Sequence, residues 1–200
     1  MNEDISIVYV DDEIDIYLSK FLLNEFKDNY SEIVFKNDET SYQDLIDQLT
    51  RLNANIVIID SRLFENGKVK YKFTGEELKM AFRKIFPFME TIVITQNDYA
   101  DKYDDFEKYR PNTIKGGESF LSYYQTHLDP AIMKAKRIIE ISRNVISEIG
   151  KDSAIDLVLV ERLKNEINGL YEYKDLTKKD VDQLIKTFKE MKKELDDVKR

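Results

Sequence analysis

The sequence predicts an α/β protein in which a five-stranded, doubly wound parallel sheet is followed by an all-α extension. Short apolar runs alternate with amphipathic stretches through residues 1–128, the order expected of βα units whose helices cover both faces of a sheet. After Leu128 only helical periodicity remains. We therefore expect one domain over residues 1–128 and a separate helical module over residues 129–200.

Five apolar runs are predicted to be strands, and the third contains four consecutive β-branched residues. The runs are residues 5–10, 33–35, 55–59, 91–95 and 112–115. Stripes of apolar residues three or four positions apart separate them and predict helices. These stripes cover residues 14–26, 42–49, 78–86 and 120–124, and residues 100–109 are weakly helical.

The second part of the chain predicts three helices, over residues 130–149, 153–171 and 178–198. Asp129 and Pro130 are a typical N-cap and first helical residue, and Ser153 with Asp156 resembles a capping box. The third helix carries a heptad seam, which indicates either core packing or self-association. The seam consists of Val181, Leu184, Phe188, Met191, Leu195 and Val198. From it we expect a homodimer formed through the C-terminal helices.

Composition narrows the function classes. The 200 residues are 42% hydrophobic, enough for a packed core, and they include no Cys and one His. Disulfides, thiol catalysis and Cys or His metal clusters are therefore excluded. No run of 18 apolar residues occurs and the first residues are acidic, so we expect no membrane span, no secretory signal and a cytoplasmic location.

Charge is distributed unevenly along the chain. Residues 1–128 carry 15 basic and 24 acidic side chains, whereas residues 129–200 carry 16 and 15. An acidic surface repels the nucleic-acid backbone, and the balanced second part is typical of solvated helix faces. The sequence thus argues against nucleic acid as a partner.

Polar residues follow the predicted strands where ligands collect in an open parallel sheet, at the carboxyl ends. In chain order they are Asp11-Asp12-Glu13, Asp60, Thr95 and Lys115. One such Asp is typically a helix cap, but acids, a Thr and a Lys at successive strand ends indicate a shared site. Clustered carboxylates without His or Cys favour Mg²⁺ or Mn²⁺.

These residues resemble the receiver domain of bacterial two-component response regulators over about residues 4–127. The motifs are Val10-Asp11-Asp12-Glu13, Ile58-Ile59-Asp60-Ser61-Arg62-Leu63, Gly75-Glu76-Glu77-Leu78, Ile94-Thr95 and Lys115. The resemblance implies a flavodoxin-like, five-stranded fold. The helices after Leu128 resemble no module known to us and would serve for output or dimerisation.

The resemblance also implies a phosphoryl acceptor. Asp60 would take a phosphoryl group from a sensor histidine kinase or phosphotransfer protein, Thr95 would bond a phosphoryl oxygen, and Lys115 would pair with its charge. Such a protein signals to a downstream protein and is not an enzyme beyond catalysing its own phosphotransfer and dephosphorylation.

A magnesium site is implied as well. Asp12 would bind the ion directly and Asp11 through water, while Asp60 and the backbone carbonyl of Arg62 would complete the protein ligands. Mg²⁺ and a lysine would offset the negative charge that arrives on an acidic site.

The sequence departs from the receiver pattern at Gln96, Asn112 and Gly116, where a small residue, an aromatic residue and a proline are usual. An alternative function is therefore an interaction or scaffold module in which phosphorylation is lost or incidental. The loop after Asp60 is long, and Asn66-Gly67 supplies a turn signal, so we expect residues 64–73 to form a hairpin or an ordered flap beside the acids.

Overall fold

The computed structural model describes residues 4–36, 42–63, 74–96, 106–111, 118–151 and 156–170, together with residues 183, 186, 187 and 190. Within these ranges the backbone forms one sheet flanked by six α-helices.

Five parallel strands form the sheet in the order β2-β1-β3-β4-β5. They are β1 Ile7–Asp11, β2 Tyr30–Val34, β3 Ile56–Asp60, β4 Glu90–Thr95 and β5 Phe106–Glu107. The helices are α1 Ile16–Phe26, α2 Tyr42–Arg51, α3 Gly75–Ile85, α4 Phe120–His127, α5 Asp129–Ile149 and α6 Leu157–Ile167, and a 3₁₀ turn spans Lys27–Asn29. The predicted fold class, a doubly wound parallel sheet with a helical extension, is confirmed.

Side chains alternate between two cores because successive strand residues point to opposite faces. In β1, Val8 and Val10 pack with α2 and α3 on one face, while Ile7 and Tyr9 pack with α1, α4 and α5 on the other. Both faces are covered, which explains why β1 and β3 are buried at every position.

The strand order reverses between β1 and β3, since the chain leaves β1 for β2 on one side and later returns to β3 on the other. Ligands bind at such a switch point, outside the carboxyl ends of the two strands. Asp11 ends β1 and Asp60 ends β3, so the topology alone brings these carboxylates together.

The last strand differs from the prediction. The predicted strand over residues 112–115 lies outside the described residues, as does the predicted hairpin over 64–73. β5 is instead Phe106–Glu107, two residues inside the stretch expected to be weakly helical, and Ile94 and Thr95 pair with it. Hydrogen bonding to the edge of β4 outweighs the weak helical preference of residues 106 and 107.

The helices after Leu128 share the core of the sheet. Ile132 and Ile139 of α5 are almost fully buried in the same cluster as Ile7 and Leu18. The division of the chain into two domains at Leu128 stays a prediction. In the structure α5 contributes directly to the core that positions β1.

Two predicted caps are corrected by the structure. α5 begins at Asp129 with Pro130 in its first turn, and Leu128 rather than Asp129 is the N-cap residue. α6 begins at Leu157, later than predicted, because the Asp156 side chain accepts a hydrogen bond from Val158 N and caps the helix itself. Ser153 and most of the heptad seam lie outside the described residues.

The end of α6 docks at the amino-terminal edge of the sheet. The Asn55 side chain accepts from Ser6 N at 3.0 Å and donates to the Ile167 carbonyl at 3.2 Å. Gly169 follows with φ +79°, and a Cβ there would lie 2.5 Å from the Asn53 carbonyl oxygen. Only glycine fits this left-handed, close contact.

None of the described helices is both long enough and apolar enough to cross a membrane.

Candidate phosphoacceptor site

A cleft of about 540 Å³ opens at the carboxyl ends of β1 and β3. Asp11, Asp12 and Glu13 line it from the end of β1, and Asp60 lines it from the end of β3. Asp11 and Asp60 are 1% and 6% exposed, whereas Asp12 is half-buried and Glu13 is exposed. The cleft, which Asp15 also lines, therefore joins two buried carboxylates to three that are partly or fully exposed.

Lys108 bridges the two buried carboxylates. Its Nζ lies 2.7 Å from Asp11 Oδ2 and 2.7 Å from Asp60 Oδ1, and the residue is only 4% exposed. The backbone explains this placement, since Lys108 directly follows β5 and its N–H donates to the Thr95 carbonyl at 2.8 Å. At such burial each ion pair is strong because little water screens it.

Asp11 has further partners on its own strand and on the loop that follows. The Tyr9 hydroxyl donates to Asp11 Oδ2, and Glu13 N donates to Asp11 Oδ1 at 3.3 Å. The same hydroxyl accepts from Asp15 N at 3.2 Å. Burial, and then the charge of Asp11, raises the pKa of Tyr9 far above its ordinary range, so its proton stays in place as a donor to Asp11.

Burial acts in opposite directions on the pKa values of Asp60 and Lys108. Burial raises the pKa of Asp60 above its ordinary value, against the opposing effect of Lys108, and Asp11 raises it further. Burial lowers the pKa of Lys108, but the attraction of Asp60 and Asp11 outweighs this and the pKa is raised overall. Two carboxylates thus share one ammonium group, and the site keeps an excess of negative charge.

A divalent cation fits this donor chemistry. Within the described ranges no three acidic side chains already form a closed ligand set, and Lys108 stands between Asp11 and Asp60. The cleft is nevertheless lined by carboxylates without His or Cys, which is the ligand type that Mg²⁺ takes. Asp12, which also lines the cleft, is half-buried and therefore in partial contact with solvent.

The hydroxyl of Thr95 lies beside the carboxyl end of β3. Ser61 Oγ donates to Thr95 Oγ1 at 2.9 Å, and Ser61 N donates to the Ile94 carbonyl at 2.7 Å. Both side chains are buried. The residue after Asp60 therefore ties β3 to β4 and holds the Thr95 hydroxyl at the same edge of the sheet.

Gly75 allows α3 to begin against the end of β3. Its N–H donates to the Ser61 carbonyl at 2.9 Å, and a Cβ at this position would lie 2.9 Å from Ser61 Cα and 3.0 Å from the Asp60 carbonyl oxygen. Thr74 and Glu77 form a capping box that fixes the same helix end.

Replacing Gly75 with alanine should lower the free energy of unfolding by about 1–3 kcal/mol, because the methyl group would push α3 away from the backbone of Asp60 and Ser61. Urea unfolding followed by circular dichroism measures this. Met80→Ala on the same helix, at a side chain 48% exposed, is the matched control and should change the value by less than about 0.5 kcal/mol. Equal stabilities for the two variants would contradict the packing described for Gly75.

The structure brings together most of the predicted site residues. Asp11, Asp12 and Asp60 line one cleft with Arg62, and Thr95 lies next to Ser61. Lys115 lies outside the described residues, as do Asn112 and Gly116. The metal-ligand roles, including that of the Arg62 carbonyl, stay predictions.

Lys108 is the residue of the candidate site that the sequence analysis missed. The signal for it was weak, because the strand before it has two residues and no apolar run. One feature of the sequence could have pointed to such a lysine. The two most apolar strands end in Asp11 and Asp60, and two adjacent buried carboxylates favour a positive charge supplied from the end of a neighbouring strand.

No family model matches the chain, and no curated protein matches it in sequence. Solved structures of response regulators do match. One is the two-component response regulator RcsB in complex with DNA, at 17% identity over 84% of this chain and 94% of that chain, with a TM-score of 0.37. Another is RcsB from Salmonella typhimurium, at 16% identity over 85% and 94%, with a TM-score of 0.36. A third is RcsB from Salmonella enterica serovar Typhimurium bound to a promoter in the presence of phosphomimetic BeF₃⁻, at 16% identity over 84% and 94%, with a TM-score of 0.36.

These matches correct one expectation. The charge distribution argued against nucleic acid as a partner, but two of the three similar structures are RcsB bound to DNA or to a promoter. That finding contradicts the expectation, which rested on net charge alone. The five-stranded sheet, its order and the acids at its switch point together show that this chain has a receiver-domain-like fold with helices added after it.

Proposed function

We propose that this protein is a two-component response regulator in which Asp60 accepts a phosphoryl group in a magnesium-dependent reaction. The observation that carries the proposal is the buried contact of Asp60 with Lys108 beside Asp11, at the switch point of the sheet. A sensor histidine kinase or a phosphotransfer protein is the proposed donor.

The residues present suit phosphoryl transfer to a carboxylate. An Asp60 carboxylate oxygen forms the new O–P bond while the P–N bond of a donor phosphohistidine breaks, and the released imidazole takes its proton from solvent. Lys108 Nζ already lies 2.7 Å from Asp60 Oδ1 and can donate to the arriving charge. Such a transfer depends mainly on positioning and charge neutralisation.

A second donor comes from β4. The Thr95 hydroxyl is held by Ser61 and can turn towards a phosphoryl oxygen, which would break its contact with the residue next to the acceptor. A magnesium ion at this edge would supply additional neutralisation of charge. Phosphorylation would in this way be coupled to the packing between β3 and β4.

Mg²⁺ should stabilise the protein, because a bound cation relieves the repulsion among Asp11, Asp12 and Asp60. We expect a higher melting temperature, corresponding to about 2.7 kcal/mol when the ion is at ~100 times its dissociation constant. Asp12→Ala should remove most of this gain, whereas Asp47→Ala, at an exposed position on α2, should retain it. Differential scanning fluorimetry with MgCl₂ against matched ionic strength in NaCl measures the effect. A melting temperature that does not respond to Mg²⁺ would contradict the metal site.

The function itself is tested by incubating the full chain with acetyl phosphate, with and without Mg²⁺. Intact-protein mass spectrometry should show one phosphoryl group added when Mg²⁺ is present and none when it is chelated. Labelling that is absent under both conditions would contradict phosphotransfer to this protein.

The second candidate function is a receiver-like interaction module that is not phosphorylated. It is favoured by one observation, that Tyr9, Lys108 and the Glu13 N–H already satisfy Asp11 without a metal ion. This candidate predicts a protein that neither gains a phosphoryl group nor responds to Mg²⁺, so the same two measurements separate it from the first.

A further inference from the structure

Helix α5 carries two apolar faces, of which only one is used by the described core. The inner face packs against the sheet through Ile132, Ala135, Ile139 and Ile146, all at most 5% exposed. A second row of apolar residues, spaced three or four positions apart, lies beside it. This row, named here the outer stripe, consists of Ile138, Ile141, Val145 and Ile149, which are 39%, 52%, 50% and 36% exposed.

An outer stripe of this kind is unusual on a surface helix. Helices of globular proteins normally present one apolar face to the core and polar residues elsewhere, and contiguous exposed apolar patches typically mark an interaction site. Four large side chains in one row over about 17 Å of helix are more than scattered surface exposure explains.

The chain itself supplies a segment of matching character. Residues 181–198 carry the heptad seam of six apolar residues described above. At 1.5 Å per residue such a helix would be about 25 Å long, long enough to cover the ~17 Å of the outer stripe. The four described residues in this segment, Gln183, Lys186, Thr187 and Glu190, are polar, exposed and off the seam.

We propose that the seam of residues 181–198 docks on the outer stripe of α5 within the same molecule, so that α5 is buried between the sheet and the C-terminal segment. A homodimer through the C-terminal helices, expected from the seam alone, is the competing outcome.

The path of the chain favours docking within one molecule. Asn168, just after α6, accepts a hydrogen bond at 3.1 Å from Arg143 Nε, so the chain leaves α6 in contact with α5. Residues 171–180 can reach up to about 35 Å, which exceeds the ~31 Å length of the 21-residue helix α5. A seam tethered this close has a local concentration in the millimolar range, well above that of a second copy at ordinary protein concentrations.

The test is hydrogen exchange of the full chain followed by mass spectrometry of peptides from residues 181–198. Protection of these peptides should be present in the wild type and independent of protein concentration. Val145→Asp in the outer stripe should speed their exchange at least tenfold, corresponding to about 1.4 kcal/mol. Met80→Asp is the control, since Met80 is 48% exposed on α3, on the opposite face of the sheet, and it should leave these peptides unchanged.

A second variant keeps the proposal testable if Val145→Asp fails to fold. Phe188→Asp in the seam should speed exchange in residues 181–198 and in α5 peptides that contain Ile141, while peptides from β1 and β3 keep their protection. Protection that grows with protein concentration, together with a dimer in light scattering, would overturn docking within one molecule in favour of a second copy. Absence of protection in the wild type would overturn the proposal altogether.

Discussion

Replacing Lys108 with methionine should lower the free energy of unfolding by about 3–5 kcal/mol at neutral pH, because it removes one partner from a buried network of charges. Asp11 and Asp60 would then face each other, 1% and 6% exposed, without a cation between them. Methionine keeps most of the length of the lysine chain, so the loss reflects charge rather than a cavity. Urea unfolding measures it, with Lys20→Met at an exposed position of α1 as the control.

The pH dependence of this loss identifies its cause. In the wild type the raised pKa of Lys108 means that its contribution is full below the ordinary value of 10.5 and is lost as pH rises through the higher folded pKa. Asp60 also binds its proton more tightly when folded, so stability falls as pH rises from its ordinary value of 3.8 through the folded pKa.

In Lys108→Met the two carboxylates lose their counter-ion. The pH range over which folded Asp60 holds its proton more tightly than the unfolded chain does should therefore extend upwards. The difference between variant and wild type should therefore be largest at neutral pH and shrink as the medium becomes acidic. A variant as stable as the wild type at neutral pH would contradict the bridging role of Lys108. A difference that does not change with pH would indicate lost packing instead.

Asp60→Asn should abolish phosphoryl labelling by acetyl phosphate and leave the protein folded. The amide keeps the shape of the side chain and can still accept a hydrogen bond from Lys108, but it is not a nucleophile towards phosphorus. Circular dichroism checks the fold, and intact-mass measurement checks the labelling. Asp47→Asn on α2 is the matched control and should be labelled like the wild type.

Labelling that survives in Asp60→Asn would move the acceptor to another carboxylate. Asp11 is the alternative at this edge of the sheet, but its Oδ2 is held by both Tyr9 and Lys108. Asp60 has one oxygen on Lys108 and the other on the Arg62 N–H at 2.8 Å, and its charge is the one that burial and Asp11 both destabilise. These differences favour Asp60 as the acceptor.

The sheet was predictable because the sequences of its central strands strongly favour buried β-structure. The β-branched run of β3 and the apolar run of β1 are buried on both faces, as their composition requires. Once these strands are parallel neighbours, Asp11 and Asp60 must meet, since both are the final residues of their strands. The acid pair at the site thus follows from local sequence and topology alone.

The lysine was not predictable in the same way. β5 is held by its pairing with β4 rather than by any apolar pattern of its own, so its position, and with it Lys108, depends on the tertiary structure. Tyr9 was assigned simply to a buried strand, and nothing in a run of apolar residues reveals that its hydroxyl would reach Asp11 two positions along.

The role of α5 was partly predictable. Its helical periodicity was clear, but periodicity does not tell which apolar face meets the sheet. In the structure the face of Ile132 and Ile139 is buried in the core and the face of Ile141 and Val145 is exposed. The sequence pattern therefore located the helix correctly and left its partner undetermined.

The most direct test of phosphoryl transfer to Asp60 is to map the modified residue chemically. The full chain is treated with acetyl phosphate and Mg²⁺, reduced with borohydride so that an acyl phosphate becomes an alcohol, and digested for peptide mass spectrometry. The account predicts the alcohol at residue 60 and its disappearance when Mg²⁺ is chelated. An alcohol at a different carboxylate, or an unmodified residue 60 under conditions that label the protein, would contradict it.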